Sequence, residues 1–317
     1  MPRLAVYESL NDAQVSVLSE LLSSGKPADP RGLATKELLF SNFAILNPRA
    51  RLLTLRGRHW DLAVALGEFC WHVAASNDAD FIAYYASAWS DLASPDCTIP
   101  GSSYGRTIFA GSETKPSQWT MVKTLLKIDH FSRRAVLFFN ASEHRLVPSA
   151  SDVACASSFQ FLIREGKLDA ILTIRSNDAI FGLPYDVFFF SMLQEMMAIE
   201  LGIELGTYFH SAGSMHLYER HIDLAGRTIA EGAFSASPMP AMEEVGSIAA
   251  FLDFEQSLRL HPDRHTIASP HGVYWHELAK VLLWHSARKR GFPRIELGSL
   301  AEGRYSALLD HVLQRGH

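Results

Sequence analysis

The run from residue 135 to 218 constrains the fold more than any other part of the chain. Three short segments, AVLFFN, SFQFLI and LDAILTIR, are rich in branched and aromatic residues and read as strands. A Gly-Lys turn, Gly166 and Lys167, separates the last two and predicts a hairpin. A long helix then covers PYDVFFFSMLQEMMAIEL, with Pro184 suited to its first turn and Gly202 to its end. LGTYFHSAGSMHLY follows as another strand. Strands mingled with helices in this way predict a mixed α+β core.

The flanks fit around that core. Val15, Leu18, Leu21 and Leu22 make one apolar stripe, predicting a helix from about Asn11 to Ser24. KELLFSNFAILN reads as a strand, and LAVALGEFCWHVAA as a mostly buried helix with one acid, Glu68, inside it. Composition shifts at SASPMPAMEE, residues 235–244. Beyond it three helices are expected: a short one from about Ala241, a long one in HGVYWHELAKVLLWHSARKR and a last one in LAEGRYSALLDHVLQR. The organisation read from this is a catalytic domain over residues 1–235 and a helical C-terminal extension, 236–317, packed on the same domain.

Composition narrows the class. With 48% apolar and 20% charged residues, 317 residues can bury a sizeable core. The net charge of −5 gives no field that draws nucleic acid or an anionic membrane, so an anionic ligand must be met by local arginines. No apolar run approaches the roughly 20 residues that span a bilayer, and MPRLAVYESLND does not read as a secretory signal. A cytoplasmic protein is therefore expected. Cys70, Cys97 and Cys155 cannot all pair and show no CxxC spacing, which argues against a disulfide framework or a zinc site. His210, His216 and His221 lie close in sequence, but no metal-ligand pattern accompanies them, and no metal is expected.

The chemistry lies in an ordered set of motifs. Cys155 precedes Gln160 and Phe161. Arg175-Ser176-Asn177-Asp178 follows, then Gly182-Leu183-Pro184-Tyr185-Asp186, the helix with Met196-Met197-Ala198, and His216-Leu217-Tyr218. In this order and spacing the set resembles the thymidylate synthase superfamily. The resemblance reaches upstream to Arg31, Glu68, Trp89, Tyr104 and the Arg133-Arg134 pair, and fades after about residue 235. It implies a thymidylate-synthase-like twisted mixed sheet with packed helices, and 5,10-methylenetetrahydrofolate as the carbon donor. A homodimer is also implied, in which Arg133 and Arg134 enter the partner's site.

By that resemblance Cys155 is the nucleophile that adds to carbon 6 of a pyrimidine and makes carbon 5 reactive. Arg31, Arg133, Arg134, Arg175 and Ser176 would hold the phosphate, His216 and Tyr218 the sugar, and Gln160 and Asn177 complete the nucleotide site. Glu68 and Tyr104 would move protons near the base, and Asp178, Trp89 and Gly182 would face the folate. Plainer roles stand beside these: a buried thiol for Cys155, a satisfied core acid for Glu68, a core ring for Trp89, solvated charges for the arginines.

Two residues depart from the family pattern. Asp186 stands where thymidylate synthases carry asparagine, and Ala156 where they usually carry histidine. A carboxylate accepts from the exocyclic amine of cytosine but opposes the carbonyl of uracil. An Asp in the first helical turn is also favoured by the helix dipole alone. The departures point to the cytidylate hydroxymethylase branch, whose members act on CMP in nucleoside-antibiotic pathways or on dCMP. CMP is the favoured reading, with dCMP close behind. Methylation of dUMP and non-catalytic nucleotide binding are the competing readings.

Overall fold

The computed structural model describes residues 4–112, 114–139, 152–235, 237–261 and 272–314. The N-terminal part runs β1 (Ala5–Tyr7), α1 (Leu10–Ser24), β2 (Lys26–Ala28), β3 (Thr35–Ile45), α2 (Leu62–Val73), α3 (Ala79–Tyr85), α4 (Tyr104–Phe109) and α5 (Gln118–Ile128). The central part is β4 (Val136–Phe138), β5 (Ala156–Arg164), β6 (Lys167–Asp178), α6 (Leu183–Leu201), β7 (Glu204–Tyr218) and α7 (Ile222–Ala230). Four helices follow: α8 (Ile248–Leu260), α9 (Val273–Lys289), α10 (Arg294–Leu300) and α11 (Ser306–Leu313).

The strands form one sheet in the order β1-β3-β7-β6-β5-β4, with β2 on β3. β1 with β3 and β6 with β7 are parallel, and the other pairs antiparallel, so the mixed α+β class expected from the sequence is observed. The hairpin between β5 and β6 turns one residue earlier than expected. Arg164 pairs with Lys167, and the two-residue loop is Glu165-Gly166, both left-handed at φ 52° and 76°. That twist matches the right-handed twist of the strands, and glycine adopts it without strain.

Helix α6 explains why its sequence has no polar face. It packs on β6 and β7 on one side and on α1, α2 and α5 on the others. A helix covered all round needs apolar residues all round, and Phe188, Phe190, Met192, Leu193 and Met197 are fully buried. Its one buried acid, Glu195, is met by Arg49 Nε at 2.6 Å and by the buried Arg51.

The C-terminal helices differ from expectation in two respects. The helix expected from Ala241 begins at Ile248. The one expected over LAEGRYSALLDHVLQR begins only at Ser306, as α11, after Gly303, whose φ of 138° no helix accommodates, and α10 lies just upstream of it. Residue 315 at its end lies outside the described residues. Helix α9 packs on α2 and α8, and the apolar core is continuous from α1 to α11. Asp61 caps α2 by accepting from Ala63 N–H and also receives Arg288 Nη2 of α9 at 2.8 Å. Among the described residues no helix is long and apolar enough to cross a membrane.

Candidate active site

The ends of β6 and β7, the start of α6, and α2 and α4 enclose a cleft of about 1080 Å³. Cys155, Glu68, Tyr104, Asp186, Arg31, Arg175, Ser176, Asn177, His216, Tyr218, Asp178, Trp89 and Gly182 all line it. The sheet register gathers several of them: Asp178 pairs with His216, and Thr35 with Tyr218. Arg133, Arg134 and Gln160 do not line the cleft. Both arginines are exposed, and Gln160 Nε2 donates to the Arg133 carbonyl at 2.9 Å.

Cys155 sits one residue before β5, on a backbone segment tied from two sides. Arg175 donates from Nε to the Ala154 carbonyl at 3.0 Å and from Nη2 to the Val153 carbonyl at 2.9 Å. The Tyr104 hydroxyl accepts from the N–H groups of Cys155 at 3.3 Å and Ala156 at 3.2 Å. Tyr104 reaches this point because α4 lies close on α2: a Cβ at Gly105 would fall 1.8 Å from the His72 carbonyl oxygen. Burial pushes the Cys155 thiol up. Arg175 and Arg31 pull it down, whereas Asp186 and Asp152 push it further up. The guanidinium that fixes the loop thus also favours the thiolate that a nucleophile needs.

Two carboxyls, Glu68 and Asp186, line the same part of the cleft closely enough to influence each other. Burial and the nearby Asp186 raise Glu68 from 4.5 to about 8. Burial raises Asp186 from 3.8 to about 7, opposed by a hydrogen bond from Asn177 and reinforced by Asp178. Near neutral pH the pair therefore holds at least one proton, which suits transfer to and from a heterocycle. Asn177 Nδ2 donates to Asp186 Oδ2 at 2.7 Å. His72, one turn after Glu68, holds Nε2 3.9 Å from Glu68 Oε1. Burial pushes this histidine down to about 3, so it is neutral.

The other end of the cleft sets Asp178 beside Phe181. Asp178 Oδ1 accepts from Ile180 N–H at 2.7 Å and Phe181 N–H at 3.2 Å, and the residue lines the cleft. Trp89 and Phe181 line this end, and Arg58 lies over the Phe181 ring at 4.4 Å. Sequence reasoning did not single out Arg58, Phe181, Ser102, Arg288 or Val312, all of which line the cleft. Among these, Phe181 adjoins the motif at Gly182 that could have flagged it. Arg288 and Val312 come from the C-terminal helices, where spacing carried no signal. Among the described residues no group of three or more His, Cys, Asp or Glu side chains could hold a metal ion.

The chain is similar to known proteins over most of its length. The thymidylate synthase family model matches residues 15–257, ending inside α8 and so past the composition shift at 235. Thymidylate synthase of Bacillus mojavensis is 26% identical over 266 residues, covering 82% of this chain and 92% of that protein. Thymidylate synthase 1 of Bacillus subtilis strain 168 is 27% identical over 223 residues, covering 69% and 77%. The solved structure of thermostable thymidylate synthase A from Bacillus subtilis superposes with a TM-score of 0.61 at 24% identity, over 72% of this chain and 86% of that one, which establishes the shared fold. With the family model matching well over half of its length, the chain belongs to the thymidylate synthase family.

Proposed function

We propose that this chain is a cytidylate 5-hydroxymethyltransferase, with CMP preferred over dCMP. The observation that carries the reading is Asp186: a carboxyl at the base end of the cleft, where the family pattern has an amide. A cytosine offers it an amine donor and a ring-nitrogen acceptor. Uracil reverses both, and each unmade buried hydrogen bond costs about 1–3 kcal/mol. Ala156, fully buried beside Cys155, supports a path other than ordinary methylation, because no imidazole shapes the solvent there.

The family's one-carbon donor is 5,10-methylenetetrahydrofolate. The cleft fits it: the volume suits a nucleotide and a pterin together, Trp89 and Phe181 offer flat apolar walls, and the Asp178 carboxylate is an acceptor for pterin N–H groups. When bound, it supplies carbon at the oxidation level of formaldehyde. The chain's own groups do the rest. Arg31 and Arg175 bind the phosphate, and His216 and Tyr218 the sugar. Cys155 sulfur bonds to carbon 6 of the base, so that carbon 5 becomes the nucleophile. After carbon 5 has gained its substituent, its hydrogen leaves as a proton and the bond from the new carbon to the donor nitrogen breaks, which leaves an exocyclic methylene. Tyr104, kept a neutral phenol by burial, passes that proton to water. Glu68, poised at about 8, orients the water that adds to the exocyclic methylene and accepts its proton. Loss of the Cys155 sulfur from carbon 6 restores the aromatic ring and frees 5-hydroxymethylcytidylate. In a homodimer, Arg133 and Arg134 of each copy would complete the neighbour's phosphate site.

A second reading, methylation of dUMP, is favoured by the names of the relatives, which are thymidylate synthases. Release of tritium from carbon 5 of CMP, dCMP and dUMP with folate present decides between them. We expect release from the cytidine nucleotides with no rise in dihydrofolate absorbance. Release from dUMP alone, with dihydrofolate formed, refutes the hydroxymethylase reading.

A further inference from the structure

Behind Asp186 runs a chain of buried polar groups that the chemistry above does not use. Tyr208, His210 and Asn177 are exposed by 0%, 1% and 2%. His210 Nε2 lies 2.9 Å from Asn177 Oδ1, and its Nδ1 lies 3.1 Å from the Tyr208 hydroxyl. Asn177 Nδ2 then donates to Asp186 Oδ2 at 2.7 Å.

One consistent set of directions runs through this chain. Asn177 turns its amide N–H to Asp186 Oδ2, which accepts. Its carbonyl oxygen therefore faces His210, which must carry its proton on Nε2. Burial pushes His210 down to about 3, so the ring is neutral and Nδ1 is bare. The Tyr208 hydroxyl fills that lone pair as a donor. The His210 ring also stacks on Phe43, with centroids 4.8 Å apart and planes 7° from parallel, so it is held against rotation.

We infer that His210 is a positioning residue for base choice: through Asn177 it pins the proton of Asp186 on Oδ1 and so fixes the donor–acceptor order the carboxyl shows to the base. This rests on the reading of Asp186 as the residue that meets the base. A protonated carboxyl whose proton is free to sit on either oxygen pairs with cytosine in one order and with uracil in the other. Engaging Oδ2 with an N–H donor makes a proton there unfavourable, so one order remains. A protonated carboxyl discriminates only weakly by itself, and the relay behind it sharpens the choice. The other titratable groups facing Asp186 are Glu68 on α2, Tyr104 on α4, Cys155 before β5, Asp178 at the end of β6 and Tyr208 on β7. None of these except Tyr208 belongs to the relay.

The test is equilibrium binding of CMP and UMP, without folate, to the full chain and its variants. His210→Phe keeps the stack on Phe43 but removes both ring nitrogens. Its CMP-to-UMP affinity ratio should fall on the order of tenfold, largely through tighter UMP binding. His210→Gln, whose amide N–H can reach the place of Nε2–H, should recover most of the ratio. Tyr208→Phe releases the His210 tautomer and should lower the ratio two- to threefold, and it decides the matter should His210→Phe not fold. An unchanged ratio, or equal weakening of both nucleotides, overturns the inference. A wild-type preference for UMP instead refutes the cytidylate reading. The relay is then judged separately, by whether the variants still change the ratio.

Discussion

The two ends of the cleft are built differently. At the end proposed to hold the nucleotide, three side chains are tied in place: Arg175 to the Val153 and Ala154 carbonyls, Tyr104 to two backbone N–H groups, and Asp186 to the Asn177 side-chain amide. These ties come from the central sheet, α4 and α6, all within the part matched by the family model. At the other end the wall includes Arg288 and Val312 from α9 and α11, beyond that match. Fixed bonds to a sheet hold atoms to the tolerance chemistry requires. Contacts through helices on the periphery set the shape and charge of a binding wall. Substitutions at the first end should change the reaction or its proton inventory, and those at the second only affinity.

The largest effect is expected at Cys155. Cys155→Ala should lower carbon 5 tritium release by at least about 10⁴-fold, the scale of losing a nucleophile, while CMP affinity stays within about threefold. Residual release above that level removes Cys155 from the chemistry.

Arg175→Ala should act on both substrate and nucleophile. One charge-assisted hydrogen bond to phosphate is worth about 1.5–3 kcal/mol, so CMP affinity should fall ten- to a hundredfold. Because Arg175 is the largest influence pulling the Cys155 thiol down, its loss should raise that thiol further. Alkylation of Cys155 by iodoacetamide in the free protein should then slow about three- to tenfold at pH 7. Equal alkylation rates in the two proteins would falsify the electrostatic part of this role.

Glu68→Gln gives a stability signature. Glu68 is raised by folding, from 4.5 to about 8, so the unfolded chain gives up its proton first as pH rises. Its contribution is intact below pH 4.5 and is lost as pH climbs toward 8. The wild-type Tm should therefore decline over that window more steeply than the Tm of Glu68→Gln. Parallel curves mean that Glu68 ionises as freely in the folded chain as outside it.

The same contrast explains what the sequence disclosed. Cys155, Asp186, Arg175 and His216 stand in motifs whose order can be read, because local strand and turn geometry carries them to one place. The hairpin slipped by only one residue, since Glu165 taking a left-handed conformation leaves no compositional mark. The helices α3, α4, α5, α7 and α10 were not foreseen, because short helices depend on packing more than on periodicity. His210 was weighed only as a metal candidate. Its role behind Asp186 depends on β7 lying beside β6, a pairing of distant segments that spacing does not encode. Arg288 and Val312 were invisible for the same reason: Arg288 reaches the cleft through the docking of α9 on α2, and Val312 through α11, whose His311 meets the Arg56 carbonyl and the His59 ring.

Arg288 offers the smallest and most discriminating effect. Its guanidinium is fixed by Asp61 Oδ2 at 2.8 Å, by His285 Nδ1 at 3.1 Å and by the Trp284 ring 4.7 Å away. His285 is held neutral by burial, down to about 4, so it accepts without competing for charge. A guanidinium so fixed loses little freedom when it meets a carboxylate, and a folate carries carboxylates on its glutamyl part, away from the pterin. Asp61 already neutralises much of its charge, so the gain is that of a partly exposed pair, about 0.5–1 kcal/mol. Arg288→Ala should raise the KM for the folate two- to fivefold, leave the KM for CMP unchanged, and leave the thiol alkylation rate of Cys155 unchanged. A rise in the CMP KM instead would mean that the C-terminal helices support the nucleotide end as well, and the division between the two ends would fail.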